Sequence, residues 1–209
     1  MSRLIVWRHG NTDWNAGHRV QGQTDVPLNA VGRQQAVDAA ELLVKMRPDA
    51  IVSSDLQRAA DTAAALAALT GLSISYDKRL RERYFGDWQG LTMIEVAERH
   101  PDQYDRWKRG QEVGGAVESL PDLGKRVCEA LHEAAALAPP GGTVVVATHG
   151  SAARQGVGQL LGWPPAQLRT LRALQNCHWV ELTHDRDRGW QVAAYNVGRF
   201  TDRPVPPPA

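Results

Sequence analysis

The sequence predicts an α/β protein in which buried strands alternate with helices. Two short apolar runs, 4–7 and 143–147, have the composition of strands that are buried on both faces. Each run is followed closely by a histidine and a glycine, at His9-Gly10 and His149-Gly150. Segments with helical spacing of alanine and leucine lie between these runs and after them. We therefore expect both His-Gly pairs at the carboxyl edge of one sheet, where open α/β sheets bind ligands.

Length and charge limit what the protein binds. A chain of 209 residues can bury one full core, and we interpret residues 1–203 as a single domain. The proline-rich end, 204–209, cannot form a helix and is expected to be a disordered or extended tail. With 24 basic and 23 acidic residues, the chain has no global field that would hold nucleic acid or an acidic membrane. Any anionic ligand must be held by a local cluster of charges.

Cysteine usage and hydropathy bear on where the protein is found. Cys128 and Cys177 follow no metal-ligand spacing, and a chain of this size needs no disulfide framework. No apolar leader precedes Leu4, and no apolar run approaches the length of a membrane span. The sequence therefore predicts a cytoplasmic protein with no metal site, no membrane partner and no nucleic-acid partner. It does not decide between a monomer and a homodimer.

The first loop and the first helix follow from residue type. Residues 18–28 are rich in turn formers and lack periodicity, which predicts a surface loop beside the end of the first strand. Asn29 can cap a helix that runs to about Met46 and stops before Pro48. Its inner face consists of apolar residues at helical spacing: Ala36, Ala39, Ala40, Leu43 and Val44.

A second strand and a second helix come next. The run 50–53 predicts a short strand, and Ser53-Ser54-Asp55 predicts the cap of an alanine-rich helix that ends at Gly71. Arg58 falls in the first turn of that helix, where a cation opposes the helix dipole. It is either a solvated surface residue or a second ligand for an anion at the strand end. Residues 72–76 alternate in polarity and predict a third strand.

The middle of the chain, residues 80–119, carries turn signals and short helical patterns. Charges, aromatics and glycines crowd residues 80–90, which predicts irregular structure. Helical spacing recurs at 94–99 and at 102–108, before a glycine-rich loop at Gly114-Gly115. We expect this segment to consist of short helices and loops.

The last third of the chain returns to regular elements. A helix begins near Asp122 and stops at Pro139-Pro140. Its apolar face consists of Leu123, Val127, Ala130, Leu131, Ala134 and Leu137. After the second His-Gly pair, residues 153–161 predict another helix, and strands at 177–182 and 190–195 close the domain.

The ends of the two buried strands carry the candidate functional residues. Arg8 stands beside His9, and the glycine that follows allows close backbone approach and dihedrals that other residues resist. This combination is typical of a phosphate site. One strand-end histidine is more often an ordinary core or surface residue, but His9 and His149 together favour a functional site. Glu82 stands between two arginines, so a surface salt bridge is its alternative role.

Four separated segments resemble the histidine phosphatase superfamily, and more narrowly its cofactor-dependent phosphoglycerate mutase branch. They contain Arg-His-Gly at 8–10, Ser-Ser-Asp-Leu-Gln-Arg-Ala at 53–59, the charged segment at 80–90, and Thr-His-Gly at 148–150. The segments occur in the family's order, and the resemblance extends from residue 4 to about residue 197. It implies a three-layer α/β/α sandwich around a mostly parallel central sheet, so that residues 1–203 form one histidine phosphatase domain.

The resemblance also implies roles for individual residues. By this resemblance His9 is the nucleophile that becomes phosphohistidine, and Glu82 is the proton donor. The residues implied to hold the phosphoryl oxygens are Arg8, Arg58 and His149. The residues implied to line the phosphate pocket are Asn15, Gln21 and Gly22. No metal and no cofactor is implied, because fixed positive charge from the protein can stabilise the transferred phosphoryl group.

The expected function is that of a metal-independent phosphatase that hydrolyses a small phosphorylated metabolite through a phosphohistidine. Two alternatives stay open: a phosphoglycerate mutase, and a phosphate-binding protein that has lost turnover. Within the family, residues 21–23, 51–56 and 86–92 resemble the actinobacterial glucosyl-3-phosphoglycerate phosphatases, which implies a sugar-linked phosphoglycerate as substrate. The chain departs from the family pattern at Gln89, where a glutamate is common, and in the longer glycine-rich run at 114–119.

Overall fold

The computed structural model describes residues 2–199, so the predicted proline-rich tail, 204–209, lies outside the described residues. The strands of its central sheet are β1 (Ser2–Arg8), β2 (Ala50–Ser53), β3 (Ile74–Tyr76), β4 (Thr143–Thr148), β5 (Trp179–Asp185) and β6 (Gly189–Val197). Their order across the sheet is β3-β2-β4-β1-β5-β6. The first four strands in this order run parallel, and β5 and β6 are antiparallel to their neighbours. The predicted mostly parallel sheet is therefore confirmed.

Helices cover both faces of this sheet. They are α1 (Asp13–Ala16), α2 (Ala30–Leu43), α3 (Gln57–Thr70), α4 (Met93–Arg99), α5 (Pro101–Arg109), α6 (Leu120–Ala135), α7 (Gly150–Leu160) and α8 (Pro165–Leu168). Alternate residues of β1 divide between the two layers, because side chains alternate along a strand. Leu4 and Val6 pack with α6 and α7, whereas Ile5 and Trp7 pack with α2 and α3. The α/β/α sandwich is confirmed.

The strand β1 lies in the middle of the fold, and Leu4, Ile5, Val6 and Trp7 are completely buried. Its register with β4 pairs Arg8 with Thr148. The backbone N–H of His9 then donates to the Thr148 carbonyl oxygen at 3.0 Å. Because the two strands are adjacent and parallel, His9 and His149 lie next to each other at the carboxyl edge of the sheet, as the sequence predicts.

The first long helix begins where its cap is predicted. The Asn29 side-chain oxygen accepts from the Gly32 N–H at 2.9 Å, and helix α2 follows directly. Its buried residues include Ala36, Ala39, Ala40 and Leu43. Val44 lies beyond the α-helix, in a 3₁₀ turn at Val44–Met46, and is only half-buried.

The predicted cap of the second helix is wrong. Helix α3 begins at Gln57 after Leu56, whose extended backbone precedes the helix without a side-chain cap bond. Ser54 does not cap it, because its hydroxyl lies 2.9 Å from Nε2 of His149 instead. Asp55 accepts from Arg81 Nε at 2.7 Å. Serine and aspartate are typical helix-capping residues, but the side chains of Ser54 and Asp55 contact distant residues in this fold.

Several predicted boundaries also shift. Helix α7 begins at Gly150, three residues before its predicted start. Cys177 is not in a strand, because its φ of 56° is incompatible with extended backbone, and β5 begins at Trp179. Leu137 lies beyond the end of α6 and is exposed, so it does not belong to the buried face. Strand β3 is shorter than predicted and starts at Ile74.

The segment between β3 and α6 folds against the carboxyl edge of the sheet around its own small core. Trp88, Val96, Val113 and Val117 form this cluster, with Phe85 packed against it. The short helices α4 and α5 confirm the predicted helical patterns. Within residues 2–199, no helix is long and apolar enough to cross a membrane.

Candidate active site

A cavity of about 180 Å³ opens at the carboxyl end of β1, beside the first turn of α3. Its lining residues are Arg8, His9, Asn15, Arg19, Val20, Gln21, Gly22, Arg58, Glu82 and Phe85. The structure thus brings together every predicted site residue except His149 in one cavity wall. His149 lies directly behind it, fully buried, with its ring centroid 5.1 Å from that of His9.

His9 has the geometry of a neutral nucleophile. Its Nδ1 lies 2.7 Å from the Gly10 carbonyl oxygen, and a carbonyl can only accept, so Nδ1 must carry the proton. The lone pair is then on Nε2. Burial lowers the pKa of His9 well below 6.5, and the charges of Arg58 and Arg8 lower this pKa further. The ring is therefore unprotonated at neutral pH and can attack an electrophile.

The backbone beside His9 is held by a close glycine contact. A Cβ at Gly10 would lie 2.4 Å from the Gly32 carbonyl oxygen, in the first turn of α2. The Gly10 N–H donates to the Thr62 hydroxyl at 3.0 Å. Gly10 does not have a positive φ, so the prediction that this glycine is needed for unusual dihedrals is wrong. A glycine is needed at position 10 because its backbone lies in contact with the backbone of Gly32.

Arg58 is completely buried, contrary to the alternative of a solvated surface residue. Its terminal nitrogens donate to the carbonyl oxygens of Thr24 at 2.8 Å and Gly22 at 2.7 Å. Its Nε has no hydrogen-bond partner among residues 2–199. Burial lowers the pKa of Arg58 to about 10, so the guanidinium keeps its charge at neutral pH. This charge is available to an anion in the cavity.

Arg8 extends from the end of β1 in a similar way. Its Nη1 donates to the Leu174 carbonyl oxygen. Its Nε is buried and finds no partner in the part of the chain that the structure describes. Burial lowers the pKa of Arg8, and the nearby Glu82 carboxyl opposes this shift. Arg8 and Arg58 therefore each present an unsatisfied cationic donor, a costly arrangement unless a ligand completes it.

His149 presents a third such nitrogen. Its Nε2 lies 2.9 Å from the Ser54 hydroxyl, while its Nδ1 is buried without a partner in the described chain. The Ser54 hydroxyl also accepts from the Leu56 N–H at 3.3 Å, which leaves its own proton available for Nε2 of His149. Burial lowers the pKa of His149 well below 6.5, and Arg58 and His9 add to this shift. A neutral ring with its proton on Nδ1 is a donor for an anion's oxygen.

Glu82 lies at the N-terminus of helix α7 and forms no salt bridge within residues 2–199. Its Oε1 accepts from the N–H groups of Arg83 at 2.8 Å and Ala152 at 3.0 Å, and its Oε2 accepts from the Ser151 N–H at 3.0 Å. Arg81 pairs with Asp55 instead. The salt-bridge alternative is therefore wrong. Three backbone donors fix the carboxyl at the cavity wall.

The predicted pocket-lining residues come from the first loop and helix α1. Gly22 has a φ of +54°, and the Gln89 side chain lies against it while accepting from the Gln23 N–H at 2.8 Å. Gln89 thus holds the loop in place of the glutamate common in the family. Gln21 is buried, and its side-chain oxygen has no partner within residues 2–199. Asn15 completes the capping box of α1.

Several residues at the site were not predicted from the sequence, because they reach it from distant parts of the chain. Arg19 lines the cavity, although no local pattern marks it. Asn176 donates to the His9 carbonyl oxygen at 3.0 Å from 167 residues away. Arg126, on α6, donates to the Glu82 carbonyl oxygen at 2.9 Å. Arg126 offered no signal in the sequence, because its helix also contains Lys125, Glu129 and other charged residues.

The chain matches known proteins along nearly its whole length. A family model for the histidine phosphatase superfamily (branch 1) matches residues 4–198. The glucosyl-3-phosphoglycerate phosphatase of Mycolicibacterium vanbaalenii is 42% identical over 210 residues, covering 96% of this chain and 90% of that protein. The metal-independent phosphoserine phosphatase of Arabidopsis thaliana is 37% identical, covering 94% of this chain and 82% of that protein. A solved structure of a mycobacterial glucosyl-3-phosphoglycerate phosphatase with VO3 has a TM-score of 0.85 and 39% identity, covering 94% of this chain and 99% of that chain.

These matches confirm the resemblance that the four sequence segments indicate. The matched range includes both His-Gly pairs, Arg58 and Glu82, so the cavity lies within the family's domain. The two relatives named here are phosphatases, one of glucosyl-3-phosphoglycerate and one of phosphoserine. The chain belongs to the histidine phosphatase superfamily, branch 1, and is a phosphoric monoester hydrolase.

Proposed function

We propose that this phosphatase works without a metal and transfers the phosphoryl group of a small metabolite to Nε2 of His9. One observation carries the proposal. The lone pair of a neutral imidazole lies beside three buried nitrogens, on Arg8, Arg58 and His149, that lack partners within residues 2–199. Three fixed donors match the three equatorial oxygens over which phosphoryl transfer spreads negative charge.

In the first step, Nε2 of His9 attacks phosphorus as the bond to the ester oxygen breaks. Glu82 gives a proton to the departing oxygen, so that an alcohol leaves instead of an alkoxide. The N–P bond forms in line with the bond that breaks, and Arg58 and Arg8 stay on the equatorial oxygens. The Nδ1–H bond to the Gly10 carbonyl offsets the positive charge that the ring acquires.

In the second step, water attacks the phosphohistidine on the side that the alcohol has left. Glu82 is now a carboxylate and accepts a proton from this water. The N–P bond breaks, inorganic phosphate forms, and both His9 and Glu82 return to their starting states. The three N–H donors to Glu82 suit this step, because they hold the carboxylate while it is charged.

The substrate class that we propose is the sugar-linked phosphoglycerates. Two similar proteins act on glucosyl-3-phosphoglycerate and on phosphoserine, and both compounds carry a carboxylate close to the phosphoester. We also propose that the protein works in the cytoplasm, where Cys128 and Cys177 stay free thiols.

The test is a panel of phosphorylated metabolites assayed for phosphate release with and without excess chelator. We expect release from glucosyl-3-phosphoglycerate, with rates unchanged by the chelator. Loss of activity that one divalent ion restores would contradict the metal-independent mechanism. The same panel includes 3-phosphoglycerate with a trace of the bisphosphate. Arg19, in the cavity wall, is exposed, so we expect water to reach the intermediate and hydrolyse it. Rapid formation of 2-phosphoglycerate would establish a mutase instead.

A further inference from the structure

A second cavity, of about 390 Å³, adjoins the phosphate pocket. Phe85 lines both cavities, so the two share a wall. Two tryptophans, Trp107 and Trp163, and three arginines, Arg83, Arg154 and Arg169, contribute to its lining. None of these five side chains has a role in the proposed phosphoryl transfer, to which Arg83 contributes only its backbone N–H.

Helix α7 connects the two cavities. The Ser151 N–H donates to Glu82 Oε2 at 3.0 Å, and Ser151 also lines the second cavity. Arg154 follows three residues later, which places it on the same face of the helix about 4.5 Å further along the axis. The second cavity and Arg154 therefore lie next to Glu82 along α7, on the side open to a leaving group whose ester oxygen is at Glu82.

The second cavity favours an anion. Its lining contains three arginines and one acidic residue, Glu112. Two of these arginines are already engaged: Arg83 Nε donates to the Glu118 carbonyl oxygen at 2.7 Å, and Arg169 donates to the Arg109 carbonyl oxygen at 3.1 Å. The Nε of Arg154 is buried and has no partner in the described part of the chain. Among the three arginines, Arg154 is thus the one with a buried donor that lacks a partner within residues 2–199.

Arg83 and Arg154 also repel each other. Arg83 is 4% exposed, and burial lowers its pKa; the carboxylates of Glu112, Glu118 and Glu82 oppose this shift, and the charge of Arg154 adds to it. A bound anion would relieve the repulsion, since each guanidinium would gain an opposite charge. The aromatic faces of Trp107 and Trp163 suit the C–H face of a sugar ring, because aromatic side chains combine apolar surface with polar edges.

We infer that this second cavity is the leaving-group site, in which Arg154 binds the carboxylate of a phosphorylated sugar acid and the tryptophans pack against its sugar. The inference rests on the proposed function, because the phosphoryl group must lie in the His9 pocket. Arg154 is then a specificity-determining residue that touches the leaving group, and the phosphoryl chemistry stays with the first cavity.

The experiment compares Arg154→Met on leaving groups with and without a carboxylate. The substrates are glucosyl-3-phosphoglycerate, 3-phosphoglycerate and p-nitrophenyl phosphate, which has no carboxylate. A lost charge-assisted hydrogen bond costs a factor of roughly 10 to 100, and we expect this factor as a rise in KM for the two carboxylated esters. The loss on p-nitrophenyl phosphate should be smaller by about tenfold or more. Arg154→Lys should recover part of the difference.

Arg188→Met is the matched control, because Arg188 is exposed in the hairpin between β5 and β6, away from both cavities. It should behave as the wild type on all three substrates. Equal losses for Arg154→Met on all three substrates, or no loss on any, would overturn the inference. A wild type that hydrolyses p-nitrophenyl phosphate but neither carboxylated ester would overturn the leaving-group assignment and leave the phosphohistidine mechanism standing. Failure on all substrates would overturn both.

Discussion

The rings of His9 and His149 lie 5.1 Å apart at an angle of 58°, at the ends of two adjacent parallel strands. Both are buried among the charges of Arg8 and Arg58, and the pKa of each is lowered well below 6.5. Two neutral imidazoles can therefore lie side by side with two cations. One has its lone pair available for attack, and the other has a nitrogen available to hold an oxygen.

The first prediction concerns the covalent intermediate. His9→Ala removes the nucleophile, so turnover should fall to near background, because no other described side chain in the cavity wall is an imidazole. Rapid quenching of the wild type during turnover should trap acid-labile phosphate on His9, detected by mass spectrometry. His132→Ala is the control, since His132 is exposed on α6 and should leave the rate unchanged. A fully active His9→Ala protein would contradict the phosphohistidine mechanism.

The second prediction concerns Glu82. Glu82→Gln keeps the size of the side chain but cannot supply a proton, so hydrolysis of alkyl phosphates should fall by about 10²- to 10⁴-fold. Phosphorylation of His9 by p-nitrophenyl phosphate should suffer less, because nitrophenolate leaves without protonation. Burst kinetics should separate this step from slow dephosphorylation.

The matched control is Glu98→Gln, since Glu98 is exposed on α4 and should tolerate the change. If Glu82→Gln lowers the burst rate equally for alkyl and aryl esters, Glu82 positions other groups and does not protonate the leaving oxygen.

The third prediction concerns the geometry of Arg58. Arg58→Lys keeps a positive charge. The single nitrogen of lysine cannot replace the separate guanidinium nitrogens that bind the carbonyl oxygens of Gly22 and Thr24 and face the phosphate. We expect kcat/KM to fall by about 10²-fold and inhibition by vanadate to weaken in parallel. Arg99→Lys, at an exposed position on α4, should change neither quantity. Unchanged vanadate inhibition in Arg58→Lys would contradict the role of Arg58 as an oxygen ligand.

The fourth prediction concerns stability and pH. Because the pKa values of His9 and His149 are lowered in the folded state, the unfolded chain binds protons below pH 6.5 that the folded chain does not. The free energy of unfolding should therefore be highest above pH 6.5 and fall as pH decreases from there toward the folded-state pKa values. Each such histidine contributes a slope of up to about 1.4 kcal/mol per pH unit.

Urea unfolding between about pH 7.5 and pH 5 measures this slope. His9→Asn should reduce it, since one buried imidazole is removed, whereas His132→Ala should keep it. An identical slope in His9→Asn and the wild type would show that His9 titrates alike in both states.

The sequence alone determined the strands, the class of fold and the family. The runs at β1 and β4 are apolar over their full length because both faces of these strands are buried, and this pattern is local. The Asn29 cap is local too, since its side chain bonds a backbone N–H three residues away. His9, Arg8 and Glu82 could be picked out because they lie in short segments that resemble the family.

The tertiary structure decided how those residues are supported. Ser54 looked like a helix cap but contacts His149, 95 residues away, and Glu82 sits on N–H donors from a helix that begins 68 residues later. In the sequence Arg154 is an ordinary arginine of a helix, and only the position of α7 in the fold places it beside the second cavity. Capping, strand and helix preferences act between residues a few positions apart, so a single sequence can display them. Contacts between distant segments depend on how the helices pack on the sheet, and that packing exists only once the whole chain has folded.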